Sequence, residues 1–151
     1  MRRGRIRVAM PKVAVRNLQR TVNVNIIDLE KSAAKAVRLC LQIYKNKSTD
    51  LTKLREVFVS LISDRRMALL HRRFLHRVGP TDVITFPHGE IFISAQTARR
   101  HARRFGNSLA RELRLYVVHG LLHLHGFDDR NEAHARKMKK AQQEILDQAE
   151  L

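Results

Sequence analysis

Apolar residues recur along this chain at two different periods, and the switches between them mark its elements. Val13 and Val15, then Val22, Val24 and Ile26, alternate with polar residues, which predicts that the chain opens in extended strand. Asp28 is placed to cap a helix reaching about Asn46, since Leu29, Ala33, Ala36, Val37, Cys40, Leu41 and Tyr44 return at helical spacing. Val57, Val59 and Leu61 alternate again as a strand, and Ser63 can cap a second helix through Met67 and Leu70 to about Phe74. Pro80 halts any continuation. Val83, Ile84 and Phe86 form a short apolar strand, Pro87 to Gly89 a tight connection, and Ile91 to Ile93 a further strand. Ser94 then caps a basic helix, and a long apolar helix begins near Leu109.

No repeat or linker divides this series, and 151 residues suffice for one compact domain, with residues 1–9 set apart as a basic tag ahead of Met10. No apolar run approaches the roughly 20 residues needed to cross a bilayer, so no membrane association is expected. With Cys40 as the only cysteine an internal disulfide is excluded, and a reducing, cytoplasmic setting follows as the default. The residues up to Ile27 carry seven Lys and Arg and no acid, which keeps organelle import as the lesser alternative.

Charge changes the picture most. A net charge of +16 repels itself in a compact state, and a polyanion such as nucleic acid would relieve it. Arg99, Arg100, His101, Arg103 and Arg104 cover a broad arc of one helix, and Arg72, Arg73, His76 and Arg77 make a second cluster. A charge run is more often a solvated face than a binding site. Aromatic residues are only 5% of the chain, so phosphate contacts are expected to outweigh base stacking.

The stretch from Tyr116 to Asp129 is the most informative. His119 and His123 lie four apart on a helix and so share a face; Gly126 can take the left-handed turn that ends the helix, and Asp129 can return toward the imidazoles. Two neutral nitrogens and a carboxylate leave a fourth tetrahedral position for water, the arrangement of a catalytic zinc site holding one Zn2+ ion, although nickel or another first-row metal would suit the same donors. His125 falls on a different face and is expected to meet solvent or phosphate. Gly120 stands where zinc proteases of the His-Glu-x-x-His kind carry their general base, so peptide hydrolysis by that route is disfavoured and a phosphodiester is the better substrate.

These residues resemble a known family. His119 to Asp129 is similar to the His-Gly-x-Leu-His-Leu-x-Gly-Tyr-Asp-His signature of the YbeY metallo-endoribonucleases, Pro80 to Pro87 is similar to their Pro-Thr-Asp-Val-Leu-Ser-Phe-Pro motif, and Gly89-Glu90-Ile91 resembles the Gly-Asp-Ile that follows it. The resemblance implies an α+β fold: a small mixed β-sheet with packed helices and a zincin-like metal-binding helix. It also implies metal-dependent cleavage of single-stranded RNA, with ribosomal RNA and the small ribosomal subunit as partners, in rRNA maturation and ribosome quality control. Three departures stand out. Asp129 replaces the family's third histidine, which makes the site less positive. Leu75 occupies the place of an arginine, with Arg77 at that of the following lysine, and Arg73 or Arg77 is the candidate replacement for phosphate contact. The connection from Pro87 to Gly89 is shorter. The loss of the arginine motivates an alternative: a ribosome-associated RNA-binding factor with weak catalysis and a structural metal.

Overall fold

The computed structural model describes residues 10–46, 48–75 and 82–150. The basic tag, His76, Arg77, Pro80 and Thr81 lie outside them, as does the side chain of Leu75.

Four strands form one mixed sheet: β1 (Lys12–Asn17), β2 (Glu56–Ile62), β3 (Val83–Phe86) and β4 (Glu90–Ser94), in the order β1-β2-β4-β3. β1 and β4 pair with β2 in parallel, Val15 opposite Val59 and Val59 opposite Ile91. β3 returns antiparallel on β4, Ile84 opposite Phe92, through the expected tight turn, closed by the Gly89 N–H donating to the Phe86 carbonyl at 3.0 Å. Among the described residues six helices accompany the sheet: α1 (Ile26–Ile43), α2 (Asp50–Lys53), α3 (Asp64–Leu75), α4 (Ala95–Phe105), α5 (Leu109–Leu124) and α6 (Glu132–Ala149). This is the expected α+β arrangement.

Two elements begin differently from the sequence reading. The extended opening is confined to β1. Val22 is instead held by Gln19, whose amide donates to its carbonyl at 2.7 Å and accepts from its N–H at 2.8 Å, leaving no backbone group for a ladder. Ile26 opens α1, whose cap is Asn25 and not Asp28: the Asn25 side chain accepts from the Asp28 N–H at 3.1 Å. Asp28 lies in the first turn, where its carboxylate suits the positive helix end. Ser63 and Ser94 do cap α3 and α4, and Ser108 caps α5, each accepting the N–H three residues on. α2 and α6 were not foreseen.

The period of two divides the sheet into unlike faces. Val57, Val59, Leu61, Ile91 and Ile93 are wholly buried against α1, α5 and α6 in the main core. Cys40 belongs to it, and burial pushes its thiol up to about 12, which leaves it an inert filler. On the opposite face Ile62, Met67 and Ile84 form a smaller cluster with Leu70, Phe86 and Phe92, covered by α3. Among the described residues, no helix is long and apolar enough to cross a membrane.

Candidate metal centre

α5 packs an almost continuous apolar face on the sheet, and Gly120 is what permits the close approach. A Cβ at that position would stand 2.9 Å from both Cδ1 and Cγ2 of Ile91. His119 and His123, on the flank of the same helix, are half-buried. The helix ends as the sequence implies. Gly126 has φ of 91°, its N–H bonds to the His123 carbonyl at 3.1 Å, and the Phe127 N–H reaches the Leu122 carbonyl at 2.9 Å, the paired closure of a Schellman motif. The returning loop is then pinned by Asp128. Its carboxylate accepts from the Arg130 side chain at 2.9 Å, the His134 ring at 2.6 Å and the Arg130 N–H at 3.2 Å, and these bonds hold its pKa well below the usual carboxylate range.

The consequence is that one ligand atom from each of His119, His123 and Asp129 lies within 4.8 Å of the others, a group that could hold a metal ion. The two Nε2 atoms are 3.1 Å apart. A tetrahedral ion with bonds of about 2.0–2.1 Å separates its donors by about 3.3 Å, so the pair fits one. Tautomers fit as well. The Gln142 side-chain oxygen, which can only accept, bonds to His119 Nδ1 and so leaves the Nε2 lone pair free. Burial, and then the neighbouring His119, lower the pKa of His123 against the opposing pull of Asp129, which favours the neutral form that coordinates metal. The His123 ring is further oriented by the Phe127 carbonyl.

Beside the histidines opens a cleft of about 310 Å³, lined also by Asp50, Val83, Thr85, Pro87 and Leu124. The Thr85 hydroxyl is buried with no hydrogen-bond partner among the described residues. Asp50 and Gln142 were missed because α2 and α6 were. α6 carried a readable signal, with Asn131 capping it and Met138, Ala141 and Ile145 at helical spacing.

Other expectations need correction. His125 meets neither solvent nor phosphate: it is 2% exposed, its Nδ1 accepts from the Thr49 hydroxyl at 2.9 Å, and its Nε2 donates to the Tyr44 carbonyl. It fastens the end of α5 to the segments around α1 and α2. The basic arc on α4 is partly structural. Arg100 pairs with Asp64 at 2.6 Å and bonds Thr97 at 2.9 Å, while His101 bonds the Tyr116 hydroxyl at 2.7 Å. Burial alone would raise the pKa of Asp64, but the bonds from Arg100, Ser94 and Thr97 outweigh it and lower it. Arg103 and Arg104 remain exposed. Arg73 is exposed on α3, its guanidinium 5.5 Å from the Phe74 ring centre, and is not among the residues lining the cleft. Arg77 lies outside the described residues.

The family model described as Endoribonuclease YbeY matches residues 14–150. The chain belongs to this family. Relatives named Endoribonuclease YbeY include those of Acidothermus cellulolyticus (33% identical, 62% of this chain and 70% of the relative) and Thermobifida fusca (36%, 62% and 71%). That of Acholeplasma laidlawii is 34% identical over 68% of this chain and 80% of its own length. Some matched relatives are longer, and the chain spans about half of the one from Anaeromyxobacter sp. (strain Fw109-5), at 52%. The solution structure of TM1509 from Thermotoga maritima is similar in fold, with a TM-score of 0.62 at 23% identity over 91% of this chain and 88% of that one. YbeY membership agrees with a hydrolase acting on RNA and with the fold seen here.

Proposed function

We propose that this chain, as one domain over residues 1–151, is a zinc-dependent endoribonuclease that cuts single-stranded RNA. Its proposed substrate is ribosomal RNA of the small subunit, with which it acts in rRNA maturation and ribosome quality control in the cytoplasm. The observation that carries the reading is the approach of His119, His123 and Asp129 to within 4.8 Å in a YbeY chain of net charge +16.

His119 and His123 would hold the ion through Nε2 and Asp129 through a carboxylate oxygen. Zinc there would act as a Lewis acid and lower the pKa of a bound water toward about 7. Gln142 and the Phe127 carbonyl orient the two imidazoles, while burial and the neighbouring His119 favour the neutral form of His123. Asp129 in place of a histidine makes the site less positive. Position 120 supplies no base, and Ile91 denies room for one, so the Asp50 carboxylate in the cleft wall is the group available to take a proton. Arg73 and Arg77 are proposed to contact phosphate.

The test is cleavage of a labelled single-stranded RNA by zinc-loaded protein beside His123→Ala and chelator-treated protein. Loss of cleavage in both supports the reading, and cleavage that survives His123→Ala sinks it. Leu75 at the family's arginine position favours a second reading, a ribosome-associated binding factor with a structural metal. That reading predicts salt-sensitive RNA binding without turnover.

A further inference from the structure

β3 is an edge strand, and its two faces look onto different surroundings. Val83, Thr85 and Pro87 line the cleft of His119 and His123, whereas Phe86 packs in the cluster under α3, and Ile84 is shared by the two. On that second side four rings from separate elements converge. Phe86 meets Phe74 of α3 edge-on, centroids 5.5 Å apart at 82°, and Phe92 of β4 edge-on at 5.8 Å and 87°. His88, in the turn, lies nearly parallel to Phe86, at 5.5 Å and 18°. The outer rings are not covered: Phe74 is 51% exposed and the His88 side chain 64%. Single exposed apolar residues need no explanation, but adjoining exposed rings mark a contact surface.

The surroundings say what the surface contacts. His88 Nε2 bonds to Glu90 at 2.9 Å, which fixes the ring plane, so Phe86 and His88 form a short preordered stack ending in an exposed imidazole. A further flat ring extends such a stack at little entropic cost. The flank of the stack is cationic. Arg65, Arg66, Arg72 and Arg73 are exposed on α3, and Arg73 sits over Phe74. The one acid of that helix, Asp64, is engaged by Arg100, Ser94 and Thr97. Exposed rings beside a row of guanidinium groups match the alternation of bases and phosphates in an unpaired nucleic acid strand.

We propose that Phe74 and His88 form a base-stacking subsite for a nucleotide of single-stranded RNA, across β3 from the metal centre, with Arg73 holding the adjoining phosphate. The proposal rests on the RNA reading above. Stacking is tolerant of base identity, so the subsite selects unpaired strand and not sequence.

The test measures the affinity of chelator-treated full-length protein, by fluorescence anisotropy, for a labelled single-stranded oligoribonucleotide and for an abasic strand of equal length. Phe74→Ala and His88→Ala are each expected to raise the Kd for RNA at least about fivefold, and to leave the Kd for the abasic strand unchanged. His88→Phe, which keeps the ring and removes the nitrogens, is expected to retain the wild-type affinity. An unchanged Kd in both alanine variants overturns the subsite. So does an equal loss on the abasic strand, or a loss in His88→Phe as large as in His88→Ala. Metal-dependent cleavage by wild type is read separately. Cleavage without a stacking effect removes the subsite alone, and a stacking effect in a protein that cuts no RNA keeps the subsite and removes the nuclease reading.

Discussion

The contact between Gly120 and Ile91 allows a prediction whose sign is the test. At an ordinary exposed helix position Gly→Ala stabilises by about 1 kcal/mol, because alanine gives up less backbone entropy. At position 120 the new methyl would meet Ile91 Cδ1 and Cγ2 at 2.9 Å and Cγ1 at 3.1 Å. Ile91 is wholly buried on β4, between β2 and β3, and its branched side chain is stiff at χ1. Overpacking of this kind costs about 1–3 kcal/mol, so Gly120→Ala should be destabilising by up to about 2 kcal/mol once the propensity gain is subtracted. Ile91→Ala removes all three clashing atoms at a cost of its own of about 2–5 kcal/mol. In that background Gly120→Ala should stabilise, giving a coupling of about 1–3 kcal/mol between two residues far apart in sequence. Urea denaturation of the four metal-free proteins measures this, with Ile91→Val as a milder partner that relieves only Cδ1. A higher midpoint for Gly120→Ala in the wild-type background, or the same effect in both backgrounds, refutes the packing argument.

Three further outcomes are expected. Gln142→Ala frees the His119 ring and should weaken zinc binding about 10- to 100-fold, measured by competition with a chromogenic chelator; unchanged affinity would mean that Gln142 does not orient the ligand. His125→Leu fills similar space but removes the acceptor of the Thr49 hydroxyl and one of the donors to the Tyr44 carbonyl, costing about 1–3 kcal/mol in all, and a melting temperature equal to wild type would contradict the buried network. His123 has its pKa lowered on folding, so between the folded and unfolded values the unfolded chain binds more protons and stability rises with pH. Its contribution is complete above the ordinary histidine range and is lost as pH falls through the folded value. Metal-free melts between about pH 8 and pH 5 should therefore show a shallower acid loss in His123→Gln than in wild type, and a steeper one would reverse the sign.

The approach of His119, His123 and Asp129 was legible in the sequence because its decisive spacings are local. His119 and His123 lie on one helical face, Gly126 ends the helix at a position only a flexible residue fills easily, and Asp129 follows within the same loop. The fate of His125 was not legible for the opposite reason. Its partners Thr49 and Tyr44 are 76 and 81 residues away in the chain, and one caps a four-residue helix with no hydrophobic period to announce it. Val22 misled because alternation reports what a strand would bury and not whether the backbone groups are already taken, here by Gln19.

Aromatics are sparse along the chain yet gathered in space, and Phe74 already stands between Arg73 and His76 in one of the basic clusters. Phe74, Phe86 and His88 fall in different elements, and only the packing of α3 on one face of the sheet brings them together. The period of two on β3 was readable, with residues 84 and 86 on one side and 83 and 85 on the other. What it could not say is that one side faces His119 and His123 and the other carries an oriented imidazole. If a substrate touches both, its strand has to pass over the edge or the turn of β3. A duplex keeps its bases stacked inside and cannot offer one to His88, so preference for unpaired RNA would follow from the architecture of one edge strand and require no contact that reads sequence.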